Sequence, residues 1–278
     1  METKINKKLP KGERRPRRSD WQERLPIKPI LLGAVVLILL AALILLNGSS
    51  GSLLNSPEIE VLKSRGSLRI GVDENVAGLY RNGEGYERDL AELIGETIFN
   101  ADDCVTLVPV NRHTALMSIE DGDVDMLLMS LTGVSDNGYA QSAQPFFAED
   151  CVLMCMDASL DLEGASVAVL QNTPSYDLLC EYEANVEPEL IIVRSAAYYD
   201  MLLAFRAGRV DALCMPRSVA ETYKDINWVI YPRPVGTLYY YAVAASSNKV
   251  LLELIDELII GWAQDETLID LQARHGLR

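Results

Sequence analysis

Histidine and closely spaced cysteines, the usual zinc ligands, are scarce in this sequence. Only two of its 278 residues are histidine, and its five cysteines never occur as Cys-x-x-Cys. The ligand spacing of a zinc site is therefore absent. A phosphate-binding glycine loop and the Gly-x-Ser-x-Gly turn of serine hydrolases are also missing. The sequence accordingly predicts no metal, no cofactor, no catalytic residue and no enzyme activity.

Positive charge is scarce outside the N-terminus. Of 25 Lys or Arg and 40 Asp or Glu in the chain, residues 1–29 contain ten and four, which leaves 15 and 36 for the remainder. Nucleic-acid phosphates require a basic surface, so we expect no nucleic-acid partner. The acidity is compatible with a cationic ligand, although it is also an ordinary means of staying soluble.

The five cysteines leave at least one thiol unpaired. Cys151 and Cys155 would lie roughly 13 Å apart along one strand, too far to bridge each other. Cys180 with Cys214 is a possible disulfide. The alternative is that the cysteines are buried free thiols that pack as small hydrophobic side chains.

The N-terminal region has the pattern of a membrane anchor. Residues 1–29 are basic, and residues 30–46 follow as 17 apolar residues without a charge. As a helix this segment would be roughly 25 Å long, just enough to cross a bilayer. The positive-inside rule places the basic tail in the cytoplasm. We therefore expect a single-pass protein of the cell membrane whose C-terminal domain is extracellular or periplasmic.

The apolar segment could be a retained anchor or a cleaved signal peptide. Residues 1–29 are long for the start of a signal peptide, and residues 30–46 exceed the usual apolar length of 7–15 residues. No Ala-x-Ala cleavage site follows them. These features favour an uncleaved signal-anchor, followed by residues 47–56 as a flexible linker.

One short motif occurs twice in the remaining chain. Residues 122–129 and 208–215 both read Gly-x-Val-Asp-x-Leu-x-Met. Each copy follows an amphipathic segment and opens an apolar one, which predicts a helix, a glycine turn and a buried strand. Two such units indicate two similar lobes, although Gly-x-Val-Asp is also ordinary turn chemistry. Ligands of open α/β sheets lie beyond the carboxyl ends of strands, so residues 130–132 and 216–218 should face a common cleft.

Hydrophobic periodicity predicts alternating strands and helices, which is typical of parallel sheets. Residues 131–144 are expected to form a loop. The predicted strands are 68–72, 105–110, 151–156, 166–170, 190–193, 228–230 and 238–244, with one more after residue 122. The predicted helices are 58–64, 86–99, 114–120, 175–182, 198–207, 249–264 and 266–275.

The order of these elements resembles the family 3 extracellular solute-binding proteins, the binding subunits of amino-acid ABC transporters. The resemblance covers about residues 57–278. The motifs that carry it stand where the family has its opening strand, first helix, glycine turns and lobe crossing. They are Leu68-Arg69-Ile70-Gly71-Val72, Gly85-Tyr86-Glu87-Arg88-Asp89-Leu90, Gly122-Asp123-Val124-Asp125, Pro145-Phe146, Leu162-Glu163-Gly164 with Val167-Ala168-Val169, and Gly208-Arg209-Val210-Asp211-Ala212.

The resemblance implies the α/β type II periplasmic-binding-protein fold, a two-lobe clamp around a central cleft. Lobe 1 would comprise residues 57–147 and 242–278, and lobe 2 residues 148–241. The hinge would lie near residues 147–150 and 240–242. A ligand would bind between the lobes and select the closed form.

Three positions depart from the clamp by which the family holds an amino acid. Its Thr-x-Thr-x-x-Arg segment binds the ligand carboxylate, and here that segment begins at Thr132 and ends at Asn137. The acid that binds the ligand amine falls on Pro216, or on Met215 with a shift of one residue. The aromatic residue over the ligand side chain aligns with Val76, with Tyr80 close by as a substitute.

Losing the clamping arginine and acid removes charge-assisted hydrogen bonds worth ~1.5–3 kcal/mol each. Arg217 could bind a carboxylate instead, and Asp73, Glu74 or Asp136 a cation, although each is more typical of a solvated loop charge. Residues 172–173 could offer backbone N–H groups to an anion, or Thr173 could simply cap a helix. The candidate ligand-binding residues are Asp73, Glu74, Val76, Tyr80, Ser130, Leu131, Thr132, Asn137, Asn172, Thr173, Met215 and Arg217.

These features predict a membrane-anchored bacterial solute-binding protein. Its ligand would be a small polar molecule, an amino acid or a related compound, and its partner an ABC transporter permease. The alternative is a ligand-sensing or scaffold domain with a diverged pocket and no transport role. An enzyme similar to cyclohexadienyl dehydratase is disfavoured, because only Arg112 and Arg217 are obvious candidates for binding substrate carboxylates.

Overall fold

The computed structural model describes residues 52–73, 79–132, 134, 138–186 and 189–277. Strands and helices alternate through most of this part of the chain. In order they are α1 (Pro57–Arg65), β1 (Leu68–Val72), α2 (Tyr86–Phe99), β2 (Val105–Pro109), α3 (Ala115–Glu120), β3 (Met126–Met129), β4 (Tyr139–Gln141), β5 (Phe147–Cys155), β6 (Ser166–Leu170), α4 (Pro174–Val186), β7 (Ile191–Ser195), α5 (Tyr198–Arg206), β8 (Ala212–Pro216), α6 (Arg217–Tyr223), β9 (Val229–Ile230), β10 (Gly236–Ala245), α7 (Lys249–Gln264) and α8 (Thr267–Arg274).

The strands form two sheets that share β10. In the first sheet β2, β1 and β3 are parallel, and β3 pairs antiparallel with residues 241–243 of β10. In the second sheet β7, β6 and β8 are parallel, and β5 lies antiparallel between β8 and residues 236–240 of β10. We call each sheet with its helices a lobe, lobe 1 containing β1 and lobe 2 containing β6. The two-lobe α/β architecture that the sequence predicts is therefore present.

Two segments connect the lobes side by side. The backbone N–H of Phe146 donates to the carbonyl of Tyr240 at 2.9 Å, just where β10 passes from one sheet to the other. The ring of Phe147 lies 5.3 Å from that of Tyr240 and 5.7 Å from that of Tyr86. The Tyr86 hydroxyl, at the start of α2, donates to the Phe146 carbonyl at 2.6 Å. We call the place where these two segments pass between the lobes, near residues 142–147 and 240–242, the crossing. The beginning of α2 is thus fixed to the crossing.

The aspartate of each repeated motif holds the start of a neighbouring strand. Asp125 accepts from the backbone N–H of Arg69 at 2.8 Å, and its own N–H donates to the Arg69 carbonyl at 2.8 Å. Asp211 makes the same two contacts with Ser166 at the start of β6, both at 2.8 Å. The motif glycines have φ values of 73° and 65°, as the predicted turns require. The repeat is therefore a structural device, used once in each lobe.

Three boundaries differ from the prediction. β4 lies inside the segment expected as a loop, α6 was not predicted, and β5 begins at Phe147 instead of Cys151. The first half of β5 pairs with β10, and β4 pairs with the end of β10. These strands depend on partners about 90 residues or more away in sequence, which local periodicity does not register.

All five cysteines are free thiols in this structure, so of the two alternatives the possible Cys180–Cys214 disulfide is not formed. The Cys214 sulfur instead lies 3.5 Å from that of Cys151. The two residues approach each other because β5 and β8 are neighbours in the sheet, with Leu153 opposite Cys214.

The predicted anchor at residues 30–46 lies outside the described residues. Within the ranges that the structure describes, no helix combines the length and the apolar character needed to cross a bilayer.

Candidate functional site

A cavity of about 380 Å³ lies where the carboxyl ends of strands from both lobes meet. Lobe 1 contributes Asp73 after β1 and Arg112 after β2. Lobe 2 contributes Tyr198 and Tyr199 after β7, and Tyr223 at the end of α6. This is the position in which open α/β sheets bind ligands.

An ion pair forms the lobe 1 wall of the cavity. The Arg112 guanidinium donates to one carboxylate oxygen of Asp73 from both Nε, at 3.0 Å, and Nη2, at 2.9 Å. Its Nη1 donates to the Ser130 carbonyl just beyond β3. The Arg112 and Asp73 side chains are only 13% and 17% exposed. Arg112 thus ties together the carboxyl ends of β1, β2 and β3.

A second carboxyl group lies behind this ion pair. Glu87, in the first turn of α2, is 1% exposed, and its Oε2 has no hydrogen-bond partner among the described residues. Burial raises the pKa of Glu87 well above its ordinary value, the nearby Asp73 raises it further, and Arg112 opposes the shift. Two carboxyl groups therefore share one guanidinium, and the buried one favours its neutral form.

The opposite wall is aromatic. Tyr198 begins α5 and is half-buried, whereas Tyr199 is 69% and Tyr223 37% exposed. Burial raises the pKa of the Tyr198 hydroxyl, so Tyr198 contributes a neutral phenol group to this wall at physiological pH. Aromatic faces and hydroxyl groups give the cavity both apolar and hydrogen-bonding surface.

The predicted site residues of lobe 1 fall in three places. Asp73 lines the cavity, and Ser130 contributes its carbonyl to Arg112. Tyr80 is only 7% exposed and packs in the hydrophobic core. Leu131 and Thr132 are half-buried just beyond β3. Glu74, Val76 and Asn137 lie outside the described residues.

The predicted residues after β6 and β8 do not line this cavity. Asn172 has a φ of 56°, in the left-handed region. The Thr173 hydroxyl donates to the Leu170 carbonyl at 2.7 Å and accepts from the Tyr176 N–H at 3.4 Å, as a cap of α4 does. Met215 is fully buried in the lobe 2 core.

Arg217 faces a different cavity, of about 480 Å³, beside the crossing segments and residues 275–277. Its Nη2 donates to Asp150 at 2.7 Å. The adjacent Glu149 accepts from the Ser218 N–H and from the Tyr240 hydroxyl, both at 2.7 Å. Arg217 and Asp73 therefore do not line a common cavity.

Sequence reasoning missed Glu87, the three tyrosines and the central role of Arg112. Asp73 comes immediately after β1, and Arg112 and Tyr198 come three residues after the ends of β2 and β7, so the rule that ligands lie beyond the carboxyl ends of strands covers all three. Glu87 lies in the helix turn that also contains the buried Tyr86 and Leu90, which marks it as a charged residue on a buried face. No group of three His, Cys, Asp or Glu residues is arranged for a metal ion in the described part of the chain.

No protein-family model matches the chain. Solved structures do match it. An arginine 3rd transport system periplasmic binding protein from Legionella pneumophila is 17% identical with a TM-score of 0.63, over 75% of this chain and 99% of that one. A glutathione-bound ABC transporter/periplasmic binding protein from Brucella ovis is 19% identical with a TM-score of 0.62, over 73% and 69%.

A third similar structure is the ancestral amino-acid-binding protein AncCDT-1, described as a precursor of cyclohexadienyl dehydratase. It is 18% identical with a TM-score of 0.62, over 78% of this chain and 97% of that one. At such identities the likeness establishes the fold. The described body of this chain therefore has the two-lobe α/β fold of the periplasmic amino-acid-binding proteins.

Proposed function

We propose that this chain is a solute-binding protein that captures a small polar ligand between its two lobes. The observation that carries the proposal is the cavity of about 380 Å³ at the carboxyl ends of strands from both sheets. Its volume is in the range of small-molecule sites, and it combines an aromatic wall with a few charged groups, as such sites do. We also propose that the chain has no enzyme activity.

The similar proteins support an amino acid or a related compound as the ligand. Their names mention an arginine transport system, bound glutathione and amino-acid binding. Thr132 is retained here, but Asn137 and Pro216 replace the charged groups of the family's clamp. The contacts to the ligand would therefore come from other groups, of which Asp73, Arg112 and the tyrosine wall are the ones that line the cavity.

The crossing provides the means of capture. In the described part of the chain, residues near 142–147 and 240–242 join the two sheets, and a small rotation there would bring the tyrosine wall toward Asp73 and Arg112. A ligand that contacts both walls would favour the closed arrangement.

We further propose that residues 30–46 anchor the body outside the cell membrane and that it delivers its ligand to an ABC transporter permease. The basic tail before this segment and the ABC transporter named for the Brucella ovis structure support this placement. The alternative is a sensing or scaffold domain without transport. One observation favours the alternative, because the Arg112 guanidinium already donates to Asp73 and to the Ser130 carbonyl.

A thermal-shift screen of the full chain in mild detergent tests the proposal against amino acids, polyamines, short peptides and organic acids. A ligand at 100 times its dissociation constant adds ~2.7 kcal/mol, which at about 2–4 °C per kcal/mol is a shift of several degrees. We expect Tyr199→Ala, on the cavity wall, to reduce this shift. Tyr239→Ala, at a 48% exposed tyrosine that does not line the cavity, serves as the matched control. A protein that melts cooperatively but shifts with none of these compounds would support the scaffold.

A further inference from the structure

A third, buried ionisable group interacts with the Asp73–Arg112 ion pair on the lobe 1 wall of the cavity. Asp73 and Glu87 both interact electrostatically with Arg112, so two carboxyl groups face one guanidinium. Asp73 takes both guanidinium contacts that reach a carboxylate, at 2.9 and 3.0 Å. Glu87 makes none, and its Oε2 is buried without a partner in the described structure.

An ionised Glu87 would be a buried charge with one carboxylate oxygen unpartnered among the described residues, which is unfavourable. The charged groups that act on it are Asp73 at the end of β1 and Arg112 at the end of β2. On its own helix the neighbouring Tyr86 hydroxyl is engaged by the Phe146 carbonyl. Burial and the neighbouring Asp73 carboxylate therefore favour the protonated form of Glu87, in which the remaining charges of Asp73 and Arg112 balance.

The tyrosines of lobe 2 favour a cationic ligand in the cavity. Tyr198, Tyr199 and Tyr223 line the cavity opposite Asp73. Aromatic faces attract organic cations, with about 0.5–2 kcal/mol for each favourable contact. A carboxylate on one wall and aromatic rings on the other are together complementary to an ammonium or guanidinium group.

We propose that the cavity binds an organic cation, an ammonium or guanidinium compound, and that its binding releases the proton held by Glu87. The ligand keeps its own charge, and the Glu87 proton passes to solvent. A bound cation beside Asp73 adds a second positive charge to that of Arg112. Ionisation of Glu87 then adds a second negative charge to that of Asp73, so the charges of the four groups balance. An anion would have the opposite effect, because it would draw Arg112 away from Asp73 and keep Glu87 protonated. The inference rests on the proposed function, since it names the ligand class of that same cavity.

Isothermal titration calorimetry of the full chain in mild detergent tests both parts of the inference. The probes are L-arginine, putrescine and choline as cations, and L-glutamate and succinate as anions. Each is titrated at pH 6 in phosphate and in MES, neither of which carries a net positive charge; their different ionisation enthalpies reveal the number of protons released. We expect at least one cation to bind with release of up to one proton, and the anions not to bind.

Two variants on the same helix locate the proton. Glu87→Gln should abolish the release, whereas Glu92→Gln, at a 48% exposed carboxylate, should leave it unchanged. Because Glu87→Gln could fail to fold, the wild-type protein provides an independent check. Release of one proton predicts that, below the pKa of Glu87, the dissociation constant of the cation falls by about tenfold for each unit by which the pH rises.

The outcomes separate this inference from the proposed function. If an anion binds and no cation does, a solute-binding role stands and the cationic ligand is refuted. If a cation binds with an affinity independent of pH, or with equal release in folded Glu87→Gln, the role of Glu87 is refuted. If none of these compounds binds and the wider screen also fails, both proposals fall.

Discussion

The two motif aspartates make the same backbone contacts but differ in burial, so their removal should have unequal costs. The Asp125 side chain is 9% exposed and is held by Arg65 and Arg69, which are themselves 39% and 33% exposed. Asp211 is exposed, and its contacts are with the backbone and hydroxyl of Ser166. Hydrogen bonds to a charged group contribute about 1.5–3 kcal/mol, and more is lost when a buried partner is left unpaired.

We therefore predict that Asp125→Asn lowers the free energy of unfolding by about 2–3 kcal/mol, after allowance for the partial exposure of both arginines. The matched change Asp211→Asn should cost about 1 kcal/mol. In thermal unfolding at pH 7, about 2–4 °C per kcal/mol gives a loss of about 4–12 °C for the first variant and about 2–4 °C for the second.

The contribution of Asp125 to the free energy of unfolding should change with pH in a defined direction. Although burial opposes the effect, hydrogen bonds from Arg69 and Arg65 hold the pKa of Asp125 below its ordinary value. The stabilisation is therefore present above the pKa of the unfolded chain and is lost as the pH falls through the lower pKa of the folded state. The difference between wild type and Asp125→Asn should narrow in acid. Equal losses for the two variants at pH 7, or a difference that persists unchanged in acid, would refute this reasoning.

Three further changes test the lobe 1 wall and the crossing. Burial raises the pKa of Glu87, so above the ordinary glutamate pKa the folded state binds more protons than the unfolded chain. The wild-type protein should therefore lose stability as the pH rises from about 4.5, and Glu87→Gln should not. Denaturant titrations should show the variant gaining stability relative to wild type over this range. Tyr86→Phe leaves the buried Phe146 carbonyl without its hydroxyl donor and should cost about 1–3 kcal/mol by the same titration, and a cost near zero would show that the crossing does not depend on this bond. Gly85→Ala would place a methyl group against a backbone carbonyl at a φ of 136°, so it should lower Tm more than Gly83→Ala, which has open space at a φ of 82°.

The local hydrophobic pattern of the sequence was sufficient to predict most strands and helices of the fold. The bounds of β1, β6, α2 and α7 agree with those predicted from apolar periodicity. The two helices each bury one apolar face, and the two strands are short apolar segments that are buried along most of their length. The repeated glycine turn indicated two lobes before any pairing was known. The start of β5 and the whole of β4 were missed because both are stabilised by β10, which follows them by about 90 residues or more.

The site was less predictable than the fold. Asp73 was a candidate as an acid that could bind a cation, whereas the strand-end rule and the family's clamp pointed to residues after β3 and near the end of β8. The contacts of Arg112 depend on β1, β2 and β3 lying side by side in one register, a relation that the sequence does not display. Tyr223 reaches the cavity from the end of α6, a helix that was itself not predicted.

The choice between a binding protein and a scaffold turns on a residue that fold stability does not explain. Tyr86, Leu90 and Ile94 already bury the apolar face of α2, whereas Glu87 adds a buried carboxyl group with an unsatisfied oxygen. Such a group costs free energy in folding, and an amide or apolar side chain would cost less. Buried groups of this kind, with a pKa shifted by both burial and a neighbouring charge, cluster where proteins bind or react. A lobe that served only as a scaffold would be more stable without Glu87, so its position behind the Asp73–Arg112 pair is the feature that most favours a working cavity.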